Sequence, residues 1–174
     1  MTIHIDERLE PDGAWRHEGC PIDAAVSVIG TRPTMLIIRE AHYGTTRFHD
    51  FVGRTGLTGS VVASRLHELV QAQILATRPY REPGSRGREE YVLTARGEAL
   101  LPVVLALAVW GSEQMLAGQW PVTVLDAGTG AAVALGLVEP NREVSGDSPL
   151  VFAPSPAGSA LSGEETPARH RDGA

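Results

Sequence analysis

The residues of this chain that could do chemistry fall into three small groups. The first lies in LTGSVVASRLHELVQAQI, residues 57–74. At helical spacing Ser60, Ser64, His67 and Gln71 share one face, with Val61, Arg65 and Glu68 beside them and Thr58 placed as the N-cap. The second is REPGSRGRE, residues 81–89, where Arg81, Arg86 and Arg88 surround a Pro/Gly tip. The third is Cys20, the single cysteine, set directly before Pro21. Small side chains on the first turns of a helix allow close backbone approach to a polar surface. An Arg supplies paired donors to a base edge or a phosphate, and a loose Arg-rich loop reaches phosphates. That is recognition chemistry. No nucleophile–base pair or paired carboxylates stand out, so the chain is not expected to be an enzyme, and no cofactor is implied. His42, His49 and His67 fall on three separate helices without Cys or carboxylate partners at ligand spacing, so no metal site is expected. The run GTGAAV at 128–133 has Val133 at its sixth position and no helix after it, so it reads as a turn.

These residues need elements to hold them. Residues 1–18 read as a polar arm. PIDAAVSVIG is a short helix with Pro21 in its first turn and Gly30 at its end. Thr31 or Arg32 caps the next helix, PTMLIIREAHYG, with Met35, Leu36, Ile38 and Ala41 inward and Gly44 closing it. After Thr45–Arg47, FHDFVGRTG is a short helix with Phe48, Phe51 and Val52 inward, stopped by Gly53 and Gly56. In the polar-faced helix, Val62, Leu66 and Leu69 make the buried stripe. LATRPY and EYVL are then strands of a β-hairpin around the basic loop. Thr94 caps a long helix, ARGEALLPVVLALAVWGSEQMLAG, in which Gly97 stands where a capping box would carry an acid.

From Ala99 to Gly111 that helix has no charge, so it must be covered on more than one side. Its economical partner is a second copy across a two-fold axis, with Leu101, Leu105, Val109 and Trp110 at the seam. Pro102 is expected to bend or break it. Beyond Trp120, PVTVLDA, GAAVALGLV and PLVFAP read as three short strands, and the Pro/Gly/Ser-rich residues 155–174 as a disordered tail. The expected organisation is an arm (1–18), a DNA-binding domain with its dimerisation helix (19–118), a β-rich extension (119–154) and the tail (155–174). The fold class is α+β, mainly α: a winged helix-turn-helix domain with terminal dimerisation helices and a small C-terminal β-rich extension.

Charge distribution matters more than total charge here. The net charge is −6, and all fifteen basic residues are Arg. Residues 31–96 carry ten Arg against six acids, whereas residues 1–30 carry two against six and residues 97–174 three against nine. The local field that meets phosphate is therefore basic between two acidic ends. No run reaches the ~18 apolar residues of a membrane span, and the acidic start, MTIHIDERLEPDG, lacks a signal-peptide pattern. A cytoplasmic protein without a membrane partner is expected.

The ordered pieces carry a resemblance. The Cys20–Pro21 start, TMLIIREAHYG-TTRFHDF, LTGSVVASRLHELVQAQIL, and the wing followed by YVLTARGEALLPVVLALAVWG are similar to the HxlR family of bacterial winged-helix regulators. The resemblance covers about half of the chain. Pro33 departs from it, standing where family members usually have Trp. It implies a homodimer on double-stranded DNA, with Thr58, Ser60, Val61, Ser64 and Arg65 at base and phosphate contacts and Arg81, Arg86 and Arg88 in the wing. The expected function is a transcriptional regulator, a repressor, whose operator binding is modulated by a small molecule or by oxidation of Cys20. The small molecule would occupy an apolar pocket at the dimer interface. Lacking a second Cys, the oxidised form would be a mixed disulfide, a sulfenic acid or a bridge between protomers. The alternative is a winged-helix protein–protein assembly module without specific DNA binding, docking through residues 121–153.

Overall fold

The computed structural model describes residues 3–5, 20–81, 87–118, 122, 124–132, 135–136, 138–139, 142–143 and 150–152. In chain order the elements are β1 Ile3–Ile5, α1 Pro21–Ile29, α2 Arg32–His42, α3 Phe48–Thr55, α4 Gly59–Gln71, β2 Leu75–Tyr80, β3 Arg88–Leu93, α5 Ala95–Glu98, α6 Leu101–Met115, β4 Val138–Glu139, β5 Arg142–Glu143 and β6 Leu150–Phe152. Two units result, His17–Leu135 and a second made of Met1–Arg16 with Gly136–Ala174. The larger unit is mainly α with one antiparallel hairpin, the winged helix-turn-helix plan.

The helices begin and end as local chemistry requires. Thr31 Oγ1 accepts from the Thr34 amide at 3.3 Å, which selects Thr31 over Arg32 as the α2 cap. Gly44 closes α2 in the left-handed region at φ 85°. The stop of α3 is Gly56, at φ 66°; the helix runs through Gly53, because a lone interior glycine costs only about 1 kcal/mol against Ala. The core is closed by Phe51, Ile37, Ile38, Leu66, Leu69, Leu75 and Val62, all but fully buried, and is extended by Ile74. Three expected inward positions differ, the first being Leu36, which is half-buried and lines a cavity. Ile37 is fully buried while Met35 is half-buried beside the core, and Phe48 stays 36% exposed at the start of α3. The hydrophobic period marked the right side of α2 but not its centre.

The wing is β2 against β3, in register from Leu75↔Leu93 to Tyr80↔Arg88. Where it returns to the helices, Thr94 Oγ1 accepts from the Gly97 amide at 3.1 Å and donates to the Gln73 carbonyl at 2.6 Å. One hydroxyl thus starts α5 and ties it to the end of α4. A Cβ on Gly97 would fall on the Ile74 carbonyl, so there is no room for the acid of a capping box. The expected long helix is interrupted after Glu98 and resumes at Leu101, with Pro102 in the first turn of α6, where its missing N–H costs nothing.

Only Val104 and Ser112 of α6 are buried. By length and composition the run Ala95–Met115, of mean hydropathy 1.3, could cross a membrane, although just 17% of it is buried. The run contains Arg96, Glu98 and Glu113, so its uncharged stretch, Ala99–Ser112, stays short of the ~18 apolar residues of a span, as expected. Val104 belongs to the same buried cluster as Ile37 and Leu66.

Downstream, the expected strands over 121–127 and 130–138 reduce, among the described residues up to Leu135, to one isolated bridge, Leu125↔Ala132. Asp126 organises the turn between the two bridged residues. Its carboxylate accepts from the Gly128 amide at 3.1 Å and from the Thr129 amide at 2.7 Å and hydroxyl at 2.8 Å, which turns the chain. These hydrogen bonds, that of the Thr129 side chain first, hold the Asp126 carboxyl below its usual range. In the smaller unit, β1 pairs in parallel with β6 and β4 pairs antiparallel with β5, so the expected arm contributes a strand. Residues 155–174 lie outside the described residues.

Candidate nucleic-acid interface

Helix α4 is set by its inner face. Val62 and Leu66 have no exposure and Leu69 has 1%, so the helix cannot rotate without opening the core. The chain enters it through the α3 stop: Thr55 Oγ1 donates to the Phe51 carbonyl at 2.6 Å and accepts from the Leu57 amide at 3.3 Å. Thr58 occupies the N-cap position with φ −69° and ψ 151°, and no side chain caps the helix start. Its Oγ1 lies 3.2 Å from Ser60 Oγ. The first-turn amides therefore face outward with two hydroxyls beside them, a geometry that suits an anion. Ser60 and Ser64 are exposed, and Val61 and Arg65 half-buried.

Glu68 joins two of these residues. Its carboxylate accepts from Ser64 Oγ at 2.9 Å and pairs with Arg65 Nη1 at 2.6 Å. With the two side chains 31% and 48% exposed, such a pair is worth about 0–1 kcal/mol. It orients the Arg65 guanidinium without fixing it.

In the wing, Arg81 and Arg88 are exposed, and Arg86 lies outside the described residues. Two further Arg residues complete the surface without having been singled out by sequence. Arg78 on β2 donates from Nε to Glu90 Oε1 at 2.7 Å across the hairpin. That hydrogen bond, helped by one from Thr46, holds the Glu90 carboxyl below its usual range. The Arg47 guanidinium lies over the Tyr80 ring, 4.9 Å from its centroid. The Tyr91 amide donates to the Thr46 carbonyl at 2.8 Å, so the segment before α3 is bound to the wing. Arg47, His49, Tyr80 and Arg88 line a cleft of about 480 Å³ between them. The cross-strand spacing of Arg78 and Glu90 was a readable signal; the Arg47–Tyr80 contact had none.

This arrangement has known relatives. The HxlR-like helix-turn-helix family profile matches residues 28–119, from the end of α1 through α6. The chain belongs to this family. An uncharacterised helix-turn-helix-type transcriptional regulator of Mycobacterium tuberculosis is 34% identical over 104 residues, which is 60% of this chain and 65%, a little under two thirds, of that protein. The Bacillus subtilis regulator YvaP is 30% identical over 55% of this chain and 89% of its own length. Among solved structures, PA1607, a candidate transcription factor, is similar over 75% of this chain and 93% of its own, with TM-score 0.65 and 30% identity. The oxidised form of the redox regulator HypR matches 55% of this chain and 97% of its own, with TM-score 0.50 and 27% identity.

The remaining expected site residues of this HxlR-like chain lie away from α4. Leu101 and Trp110 are 42% and 59% exposed, while Leu105 and Val109 are half-buried. Helix α1 adds Ile22 at 71% and Val26 at 54% exposure. Leu101 and Leu105 also line a cavity of about 810 Å³ between α2 and α6. Cys20 is half-buried at the N-cap position of α1 and is not among the residues lining that cavity. Among the described residues no group of three His, Cys, Asp or Glu side chains could hold a metal ion.

Proposed function

We propose that this HxlR-like protein is a homodimeric transcriptional regulator, a repressor, that binds double-stranded DNA and acts in the cytoplasm. The observation that carries the reading is α4: a helix locked by a closed core, with an uncapped start and the polar face Thr58, Ser60, Ser64 and Arg65 turned outward. In this reading α4 enters the major groove, Val61 meets a base methyl, and Arg81, Arg86 and Arg88 of the wing reach phosphates. Arg78 and Arg47 extend the basic surface. The exposed apolar side chains of α1 and α6, including Ile22, Leu101 and Trp110, are covered by the second copy. On this account the apolar character of Ala95–Met115 serves protein contact rather than a membrane.

Operator affinity is modulated by a small molecule held between α2 and α6. Cys20 offers a second route, supported by its place before α1 and by the likeness to HypR, which is a redox regulator. The decisive measurement is fluorescence anisotropy with duplex DNA from the upstream intergenic region. Affinity should fall steeply between about 50 and about 200 mM salt, as release of several counterions requires. A protein that binds no such duplex is an assembly module instead. The redox route fails if Cys20→Ser still loses DNA on oxidation as the parent protein does.

A further inference from the structure

The cavity between α2 and α6 is nearly all aliphatic, with Met35, Leu36, Leu105 and Ala108 in its wall. Among the described residues lining it, the basic ones are Arg39 and His42, and none is acidic. These two stand one turn apart on α2. Each holds a buried nitrogen, Nε of Arg39 and Nε2 of His42, without a hydrogen-bond partner. Buried polar groups are rarely left so, because an unmade hydrogen bond forfeits the whole cost of desolvation.

The rest of the Arg39 side chain is engaged. Arg39 Nη2 donates to Glu40 Oε1 at 2.6 Å, and its guanidinium lies 5.9 Å from the Tyr43 ring centroid. Burial holds the His42 imidazole below its usual pKa, opposed by the Gly97 backbone and the Glu98 carboxylate. Buried Glu40 does not cancel Arg39 one for one, since its other oxygen accepts from Thr45 Oγ1 at 3.2 Å and lies 4.0 Å from Arg54 Nη1. The Arg39 guanidinium is thus a partly compensated cation beside an aliphatic cavity, while the Glu98 carboxylate acts on His42. The Arg39 Nε–H can only donate, whereas an imidazole nitrogen can accept an O–H or, once protonated, donate. A hydroxylic oxygen satisfies both, and among such groups a weakly acidic one gains most beside a guanidinium, because charge on the acceptor strengthens the hydrogen bond.

We propose that this cavity binds a weak organic acid with a bulky apolar body, its carboxyl or phenolic oxygen lodged between Arg39 and His42. The volume of about 810 Å³ suits such a ligand, since small-molecule sites span roughly 300–1,000 Å³. The proposal names the effector class of the regulator proposed above and rests on that reading. Its route to DNA is short: α2 leads through the wing-bound Thr46 segment to α3 and α4.

The test is calorimetric titration of the full chain with three probes of one shape: 2-naphthoic acid, 2-naphthylmethanol and 2-naphthylmethylamine. The acid should saturate one site per chain and bind at least about tenfold tighter than the other two. Arg39→Gln and His42→Phe should each weaken the acid about tenfold and leave the amine unchanged. Gly111→Leu, whose new side chain starts in open space on the cavity wall, should abolish acid binding with unchanged circular dichroism. Equal affinity for the three probes, no binding of any, or acid binding indifferent to Gly111→Leu would overturn the proposal. So would a Gly111→Leu protein that loses dimerisation while the parent binds no acid, which assigns the cavity to the second copy. Anisotropy on the same preparations separates the two readings. Intact DNA binding without acid binding fails the cavity alone, and absent DNA binding fails the regulator whatever the titration gives.

Discussion

Helices α4 and α6 are close in length, thirteen and fifteen residues, but they distribute their apolar side chains in opposite ways. In α4 they form one stripe, Val62, Leu66 and Leu69, and the stripe is closed. In α6 they go all round, and only Val104 of them is buried, while Leu107 and Trp110 are 52% and 59% exposed. A satisfied helix leaves its polar face free for a ligand, whereas an unsatisfied one calls for cover from another molecule. On the reading proposed above α4 carries recognition and α6 assembly, and a substitution should register on different measurements in the two.

The largest effect belongs to the closed stripe. Leu66→Ala should cost about 2–5 kcal/mol of folding stability by urea denaturation, because the cavity it leaves cannot collapse between α2 and α4. A loss under about 1 kcal/mol would mean the stripe is not the anchor of α4. Next comes α6, where Trp110→Glu should weaken dimerisation by about 2–4 kcal/mol in sedimentation equilibrium with monomer stability little changed. An unaltered dimer would move the interface elsewhere. On the outer face of α4, Arg65→Ala should cost ~1–3 kcal/mol of operator affinity. Its melting temperature should stay put, since the Glu68 pair it removes is solvent-exposed; a large drop in melting temperature would recast Arg65 as structural. Smallest is the junction between the two helices. Thr94→Ala should lower stability by about 1 kcal/mol through loss of the α5 cap and the Gln73 tie, read by thermal melting against the parent.

What was legible in the sequence followed local rules. Val62, Leu66 and Leu69 are spaced at one helical period, and the two stretches of the wing bracket a Pro/Gly tip. The cap at Thr94 was readable from its place before a helix, whereas the structure decided for Thr31 over Arg32 and left Thr58 without a capping bond. What stayed hidden depended on residues far apart in the chain. Arg47 became part of the basic surface only by stacking on Tyr80, and Gly97 explained itself only against the Ile74 carbonyl. Glu40, to all appearance a surface charge, is buried because Arg39, Thr45 and Arg54 converge on it.

For the two contrasted helices the division is plain. The sequence by itself determined that α4 has one apolar face and that α6 carries no charge as far as Gly111, since periodicity is a property of a single helix. Tertiary structure decided that α4's stripe is sealed, that α6 keeps most of its surface open, and that Arg39 and His42 stand beside an aliphatic cavity. Burial is a relation between segments, and no local pattern records which neighbour arrives or how much of a face it covers.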